Sequence, residues 1–151
     1  MTLQFGKIPQ KCIQNTRNLV SCLKSLKVDF VGEGIYRARI KVEEKHLNDK
    51  SYFNYGLIAY LLDHSGTAVL KSIIQEPGLP IKLDIEYLEP VPLGRELILF
   101  ARLRSIHNRY AHITSELNVI EKNKNFPVAL AQYTKLLHSE SKRYPEWCLG
   151  D

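Results

Sequence analysis

The chain has 151 residues, of which 44% are hydrophobic and 25% charged, the profile of a single globular domain with enough apolar residues for a real core. Its net charge of +5 is concentrated at the start, where Lys7, Lys11, Arg17, Lys24 and Lys27 precede the first acid, Asp29, and the balanced remainder excludes a broad nucleic-acid footprint while leaving local sites for a phosphorylated small molecule. Cys12, Cys22 and Cys148 are too few and too scattered for a disulfide framework and point to a reducing compartment, cytoplasm or mitochondrion.

In chain order, Ile8, Cys12, Leu19, Val20 and Leu23 form an apolar stripe after Pro9, which predicts an N-terminal helix within residues 1–23. The same basic, acid-free segment also suits a mitochondrial presequence. Lys24 to Val31 and Gly34 to Val42 read as two strands joined at Gly32-Glu33-Gly34. That turn opens like a dinucleotide fingerprint but lacks its third glycine and starts no helix. A polar and aromatic loop follows from His46 to Tyr55.

Next comes a helix apolar on nearly every side, with Leu57, Ile58, Leu61, Leu62, Ala68, Val69 and Leu70, ended by Pro77-Gly78 after Gln75. Asp63 and His64 interrupt it, so no apolar run is expected to reach membrane-spanning length. From Leu79 the period changes to two, with Leu83, Ile85 and Tyr87 alternating with Lys82, Asp84 and Glu86. Three more strands are predicted at Glu96 to Ser105, Tyr110 to Ile120 and Phe126 to Leu137, before a polar tail at 139–151. One long helix followed by antiparallel hairpins is an α+β architecture, most economically a sheet wrapped around that helix within one domain, 1–151.

Asp63 is the conspicuous residue. Helical spacing places it on one face with Gly56, Ala59, Gly66 and Thr67, a groove of small side chains that another backbone or a ligand can approach. Such an acid is either a solvent-facing or internally bonded helix residue, or a catalytic carboxylate. Other chemistries are poorly represented. There is no Gly-x-Ser-x-Gly elbow for Ser65 or Ser72, and His46, His64, His107, His112 and His138 do not pair at metal-ligand spacing, so no metal is expected. What remains is a helix-borne acid and the amides of a helix N-terminus, where the dipole favours developing negative charge.

The string Lys41 to Asn48, the helix bearing Asp63, Pro77-Gly78, Tyr87-Leu88-Glu89-Pro90 and Leu93-Gly94 together resemble the small single-domain hotdog-fold acyl-CoA thioesterases related to the phenylacetate-pathway type, over about Ile8 to Lys135. The resemblance implies that Asp63 is the base or nucleophile for thioester hydrolysis, that Asn48 helps place the water, and that Gly56 is the last residue of a histidine-glycine-glycine triplet. Here Asn54 stands at the histidine, Tyr55 at the first glycine, and Pro80 where relatives carry a serine assisting the acid. Tyr55 keeps the backbone N–H wanted at the thioester oxygen, with Gly56 beside it; Pro80 offers neither hydroxyl nor N–H.

The resemblance further implies a cleft shared between subunits of a homodimer or homotetramer. Coenzyme A would be gripped by Tyr87, Leu88, Glu89, Pro90, Val91 and Pro92 and by the hairpin at Ser105, Asn108, Arg109 and Tyr110. Arg104 and Arg109 are candidates for phosphate contacts, or else exposed turn charges. The expected activity is hydrolysis of medium- or long-chain fatty acyl-CoA without a further cofactor. The alternatives are a weak or inactive acyl-CoA-binding protein, suggested by Asn54, Tyr55 and Pro80, and a plain homo-oligomeric module.

Overall fold

The computed structural model describes residues 22–74 and 76–138. The predicted N-terminal helix therefore lies outside the described residues except for residues 22–24, which are helical, as do Cys12, Cys148, Gln75 and the tail at 139–151. Cys22 is buried and its thiol is pushed up to about 11, chiefly by burial, which makes it an inert thiol.

Six antiparallel strands form one sheet: β1 (Lys27–Gly32), β2 (Ile35–Lys41), β3 (Leu79–Tyr87), β4 (Glu96–His107), β5 (Tyr110–Glu121) and β6 (Lys124–Leu136). Helix α1 (Tyr55–Ile74) lies across it. Two of the tight hairpins turn where both central residues take positive φ, at Glu33 (49°) and Gly34 (74°) and at Lys122 (48°) and Asn123 (62°). Such turns match the twist of the strands they join. This is the hotdog architecture expected above, a long helix wrapped by an antiparallel sheet.

Strand order is β1-β2-β4-β5-β6-β3. Although β4 follows β3 in the chain, β3 crosses to the far side and pairs with β6, leaving β1 and β3 as edges. At the β1 edge a bulge between Val28 and Phe30 accommodates Asp29, which is clamped by Arg39 through Nε at 3.0 Å and a second guanidinium nitrogen at 3.0 Å.

The core lies between α1 and one face of the sheet. Leu97, Leu99, Ala101 and Leu103 of β4 pair with Val119, Leu117, Ser115 and Ile113 of β5, and all eight are buried. On β6 the buried phase is Ala129, Ala131, Tyr133 and Lys135.

Helix α1 is not buried all round. Its buried stripe is Leu57, Ile58, Leu61, Leu62, Ser65, Gly66, Val69 and Leu70, while Ala59, Tyr60, Asp63, His64 and Thr67 stay partly open. The sheet covers one side of a helix, and its other side is apolar enough to look buried from sequence alone. By length and composition α1 is also apolar enough to cross a bilayer, contrary to expectation; its packing onto the sheet is what makes it a core helix.

Candidate functional site

The start of α1 is built by two asparagines. Asn54 accepts at Oδ1 from the N–H groups of Gly56 (2.8 Å) and Leu57 (3.3 Å), so it is the N-cap of the helix. Asn48 accepts at Oδ1 from the N–H groups of Lys50 (2.9 Å) and Tyr52 (3.1 Å), folding the preceding loop on itself. Two expectations change accordingly. The Gly56 amide, an expected oxyanion donor, is already engaged by Asn54, and the Asn48 side-chain oxygen is engaged by its own loop. Tyr55 N–H, the first of the helix, has no intrahelical acceptor.

Tyr55 also brings one predicted group of binding residues to the helix start. Its ring lies 4.6 Å from that of Tyr87, whose hydroxyl donates to the Tyr55 carbonyl at 3.0 Å. Phe53 N–H donates to the Val91 carbonyl at 2.7 Å, and Tyr52 forms a bridge with Pro92. Glu89, Pro90, Val91 and Pro92 line a cleft of about 450 Å³ together with Phe126 and Pro127 of β6.

The second predicted group sits at the other end of the sheet. The hairpin at Ser105, Asn108, Arg109 and Tyr110 packs beside the end of β6, with Arg109 Nε donating to the Leu137 carbonyl at 2.8 Å. Arg104 points to the face away from α1 and donates to Thr114 Oγ1 at 2.8 Å. It lines a cleft of about 510 Å³ with Glu33, Ile35 and Arg102. Within one chain, the Tyr87–Pro92 group and the Arg104–Tyr110 group therefore do not meet.

Asp63 is midway along α1, with its side chain 36% exposed. Its Oδ1 is sealed from solvent and 3.3 Å from the Lys135 ammonium, an ion contact without hydrogen-bond alignment. Lys135 is buried and donates to Thr67 Oγ1 at 2.6 Å, and Thr67 in turn donates to the Asp63 carbonyl at 3.4 Å. Pro80 is the cross-strand neighbour of Lys135. Neighbouring His64 is partly buried, which lowers its affinity for a proton, with the Lys71 and Lys135 charges acting the same way and Asp63 opposing.

Beneath this, the Tyr133 ring lies against Gly66, and its hydroxyl donates to the Leu62 carbonyl at 3.1 Å. Burial pushes that phenol up to about 12. Ser65 and Ser72 donate to the carbonyls of Leu62 (2.6 Å) and Val69 (2.7 Å), so neither hydroxyl is set against a base. Among the described residues no three His, Cys, Asp or Glu side chains cluster as a metal site.

Sequence reasoning missed Lys135 and Tyr133. The signal was present in the period-two phase of β6, which puts both on the face of Ala129 and Ala131. Seven residues separate Gly56 from Asp63, roughly 10 Å along the axis, so the first turn and the acid of one helix cannot both touch one carbonyl. Neither cleft described above includes Asp63.

No family model matches the chain. It is 29% identical over 94 residues to acyl-coenzyme A thioesterase 13 of Homo sapiens, a match spanning 62% of this chain and 67% of the relative. The Mus musculus protein of that name is 28% identical over 99 residues, 65% and 69% of the two chains. Among solved structures, zebra fish thioesterase superfamily member 2 superposes with a TM-score of 0.73 at 21% identity, covering 87% of this chain and 99% of that one. A hypothetical thioesterase protein from Streptococcus pneumoniae TIGR4, solved with coenzyme A, superposes with a TM-score of 0.68 at 17% identity, covering 76% and 90%.

Proposed function

The chain has the hotdog thioesterase fold and is a sequence relative of acyl-coenzyme A thioesterase 13, and from that premise we propose that it hydrolyses fatty acyl-CoA of medium or long chain to the free acid and coenzyme A. The observation that carries this reading is Asp63: a carboxylate with one oxygen anchored inside the protein and the rest of its side chain open beside Ala59 and Thr67, whereas Gly66, expected on the same open face, is covered by Tyr133. In the general-base form, Asp63 takes a proton from water as the oxygen attacks the thioester carbonyl. The resulting oxyanion is stabilised by Tyr55 N–H at a helix N-terminus, and the intermediate collapses with release of the thiolate of coenzyme A. Direct attack by Asp63 is the variant of the same assignment.

The roughly 10 Å between Gly56 and Asp63 favours a site made by two copies. An antiparallel pairing of two β3 edges about a two-fold axis would set the Tyr87 end of one strand beside the Leu79 end of the other. That arrangement would bring the helix start of one copy towards Asp63 of its partner, and the Tyr87–Pro92 loop of one copy to the end of the sheet that carries the partner's hairpin. The edge supports it: Leu79, Ile81, Leu83 and Tyr87 are exposed apolar residues on a strand whose outer edge is free. A homodimer is therefore the smallest complete unit, and pairing of dimers into a tetramer would build on it.

A second reading, an acyl-CoA-binding protein of weak or no activity, is favoured by three observations: Gly56 N–H is engaged by Asn54, Asn48 Oδ1 by its own loop, and Pro80 carries no donor. Release of coenzyme A from medium- and long-chain acyl-CoA separates the two. Hydrolysis that Asp63→Ala slows by about 10³-fold supports the enzyme. Ligand-dependent thermal stabilisation with no turnover supports the binding protein.

A further inference from the structure

Lys135 is a buried ammonium that neither the expected chemistry nor the core packing accounts for. We propose that it is a positioning residue for Asp63, an inference that rests on the hydrolase reading above: it holds one carboxylate oxygen inside the protein so that the other faces the open side of α1.

The strand phase puts Lys135 under the helix whatever its side chain, in line with Ala131 and Tyr133. A charge so placed is costly unless compensated, and three contacts compensate it. They are Thr67 Oγ1 at 2.6 Å, Asp63 Oδ1 at 3.3 Å and the Tyr133 ring face, whose centroid is 6.0 Å away. Asp63 and Thr67 are four residues apart, on successive turns of one helix face, so one ammonium ties the two turns together. Thr67, having accepted from Lys135, donates to the Asp63 carbonyl at 3.4 Å, which fixes the backbone of the acid as well as its side chain.

The consequence for Asp63 is directional. Oδ1 is sealed beside the ammonium, and the exposed part of the side chain is what remains. A carboxylate free to rotate would exchange its two oxygens and average its aim; this one is pinned at one end. Pro80, across the ladder from Lys135, has no hydrogen to donate, so that position on β3 cannot take over the task. Lys135 touches no reacting atom in this account and acts only through Asp63.

A kinetic double-mutant cycle tests this, using the full chain and an acyl-CoA that the wild type hydrolyses. Lys135→Met keeps the apolar stem and removes the charge. It should lower kcat by a factor on the order of 10², with KM changed less than about threefold, because a displaced base costs rate and not binding. In the Asp63→Ala background the same substitution should change the residual rate by less than about threefold. Thr67→Val, which removes one tether and leaves the charge, is the second probe should Lys135→Met melt early; it should lower kcat by about tenfold and be equally silent without Asp63. Losses that multiply in the double variants, or a rise in KM at constant kcat, would overturn the role of Lys135 while leaving the hydrolase standing. A wild type that turns over no acyl-CoA would instead remove the hydrolase reading, and this role with it.

Discussion

Gly66 of α1 and Tyr133 of β6 are in such close contact that a Cβ built on the glycine would overlap the phenol ring. The absence of a side chain at 66 is what lets the ring slide under the helix and reach the Leu62 carbonyl. Gly66→Ala should therefore destabilise the protein by about 2 kcal/mol, as overpacking does, where the same change at an open helix position would stabilise by up to about 1 kcal/mol. Chemical denaturation measures the sign. In a Tyr133→Val background, itself destabilised by the lost ring, the further cost of Gly66→Ala should largely vanish, since the clash is with the ring.

Removing the Asp63 carboxylate should leave the Lys135 ammonium buried without its counter-charge. Asp63→Ala should lower stability by about 2 kcal/mol, less than for a wholly buried pair because the acid is partly exposed. Adding Lys135→Met should recover part of it. A cycle of urea midpoints reads this coupling independently of any activity.

His46 gives a pH dependence of stability. The ring is fully buried, its Nδ1 accepts from the Glu43 N–H at 3.1 Å, and its pKa is lowered from 6.5, chiefly by burial and further by the Lys45 charge, against the pull of Glu43. The unfolded chain therefore binds the proton more readily than the folded one. The stabilisation is complete above the ordinary value of 6.5 and is lost as pH falls below it. Thermal midpoints should be flat from about pH 8 to pH 7 and decline towards about pH 5. His46→Asn, whose amide oxygen can accept from Glu43, should flatten that decline; an unchanged slope would assign it to His64.

Leu83 is 39% exposed on the edge strand β3 and faces the same side as α1. Leu83→Lys should cost an isolated chain within about 0.5 kcal/mol, as surface changes do, but several times that where the strand is covered by a second copy. The expected outcome is a halved mass by light scattering together with loss of turnover. A variant that stays associated and active would exclude β3 from the interface.

Much of the fold was legible because its signals are local. Leu83, Ile85 and Tyr87 announce a one-sided strand, Gly32-Glu33-Gly34 a hairpin, and Leu57 to Leu70 a packed helix. That β3 leaves β4 and joins β6 was not legible, since strand order depends on contacts distant in the chain. The resemblance drew attention to Asn54, Tyr55, Asn48 and Asp63, but not to what the asparagines do with their oxygens. A side-chain oxygen that caps a helix and one that positions water look the same in sequence. Lys135 was overlooked for a simpler reason: a lysine near the end of a strand is normally read as solvent-facing, and only the phase of Ala129, Ala131 and Tyr133 argues otherwise.

The two borders of the sheet are unequal. At β1 the bulge and the Asp29–Arg39 clamp interrupt the row of amides and carbonyls that an incoming strand would need, while β3 keeps a regular stretch from Lys82 to Tyr87. With one receptive side and one blunted side, edge-to-edge growth has nowhere to continue after a single union. On the β3 pairing proposed above the sheet would stop at two copies, and concentrating the protein should not seed fibrils through its strands.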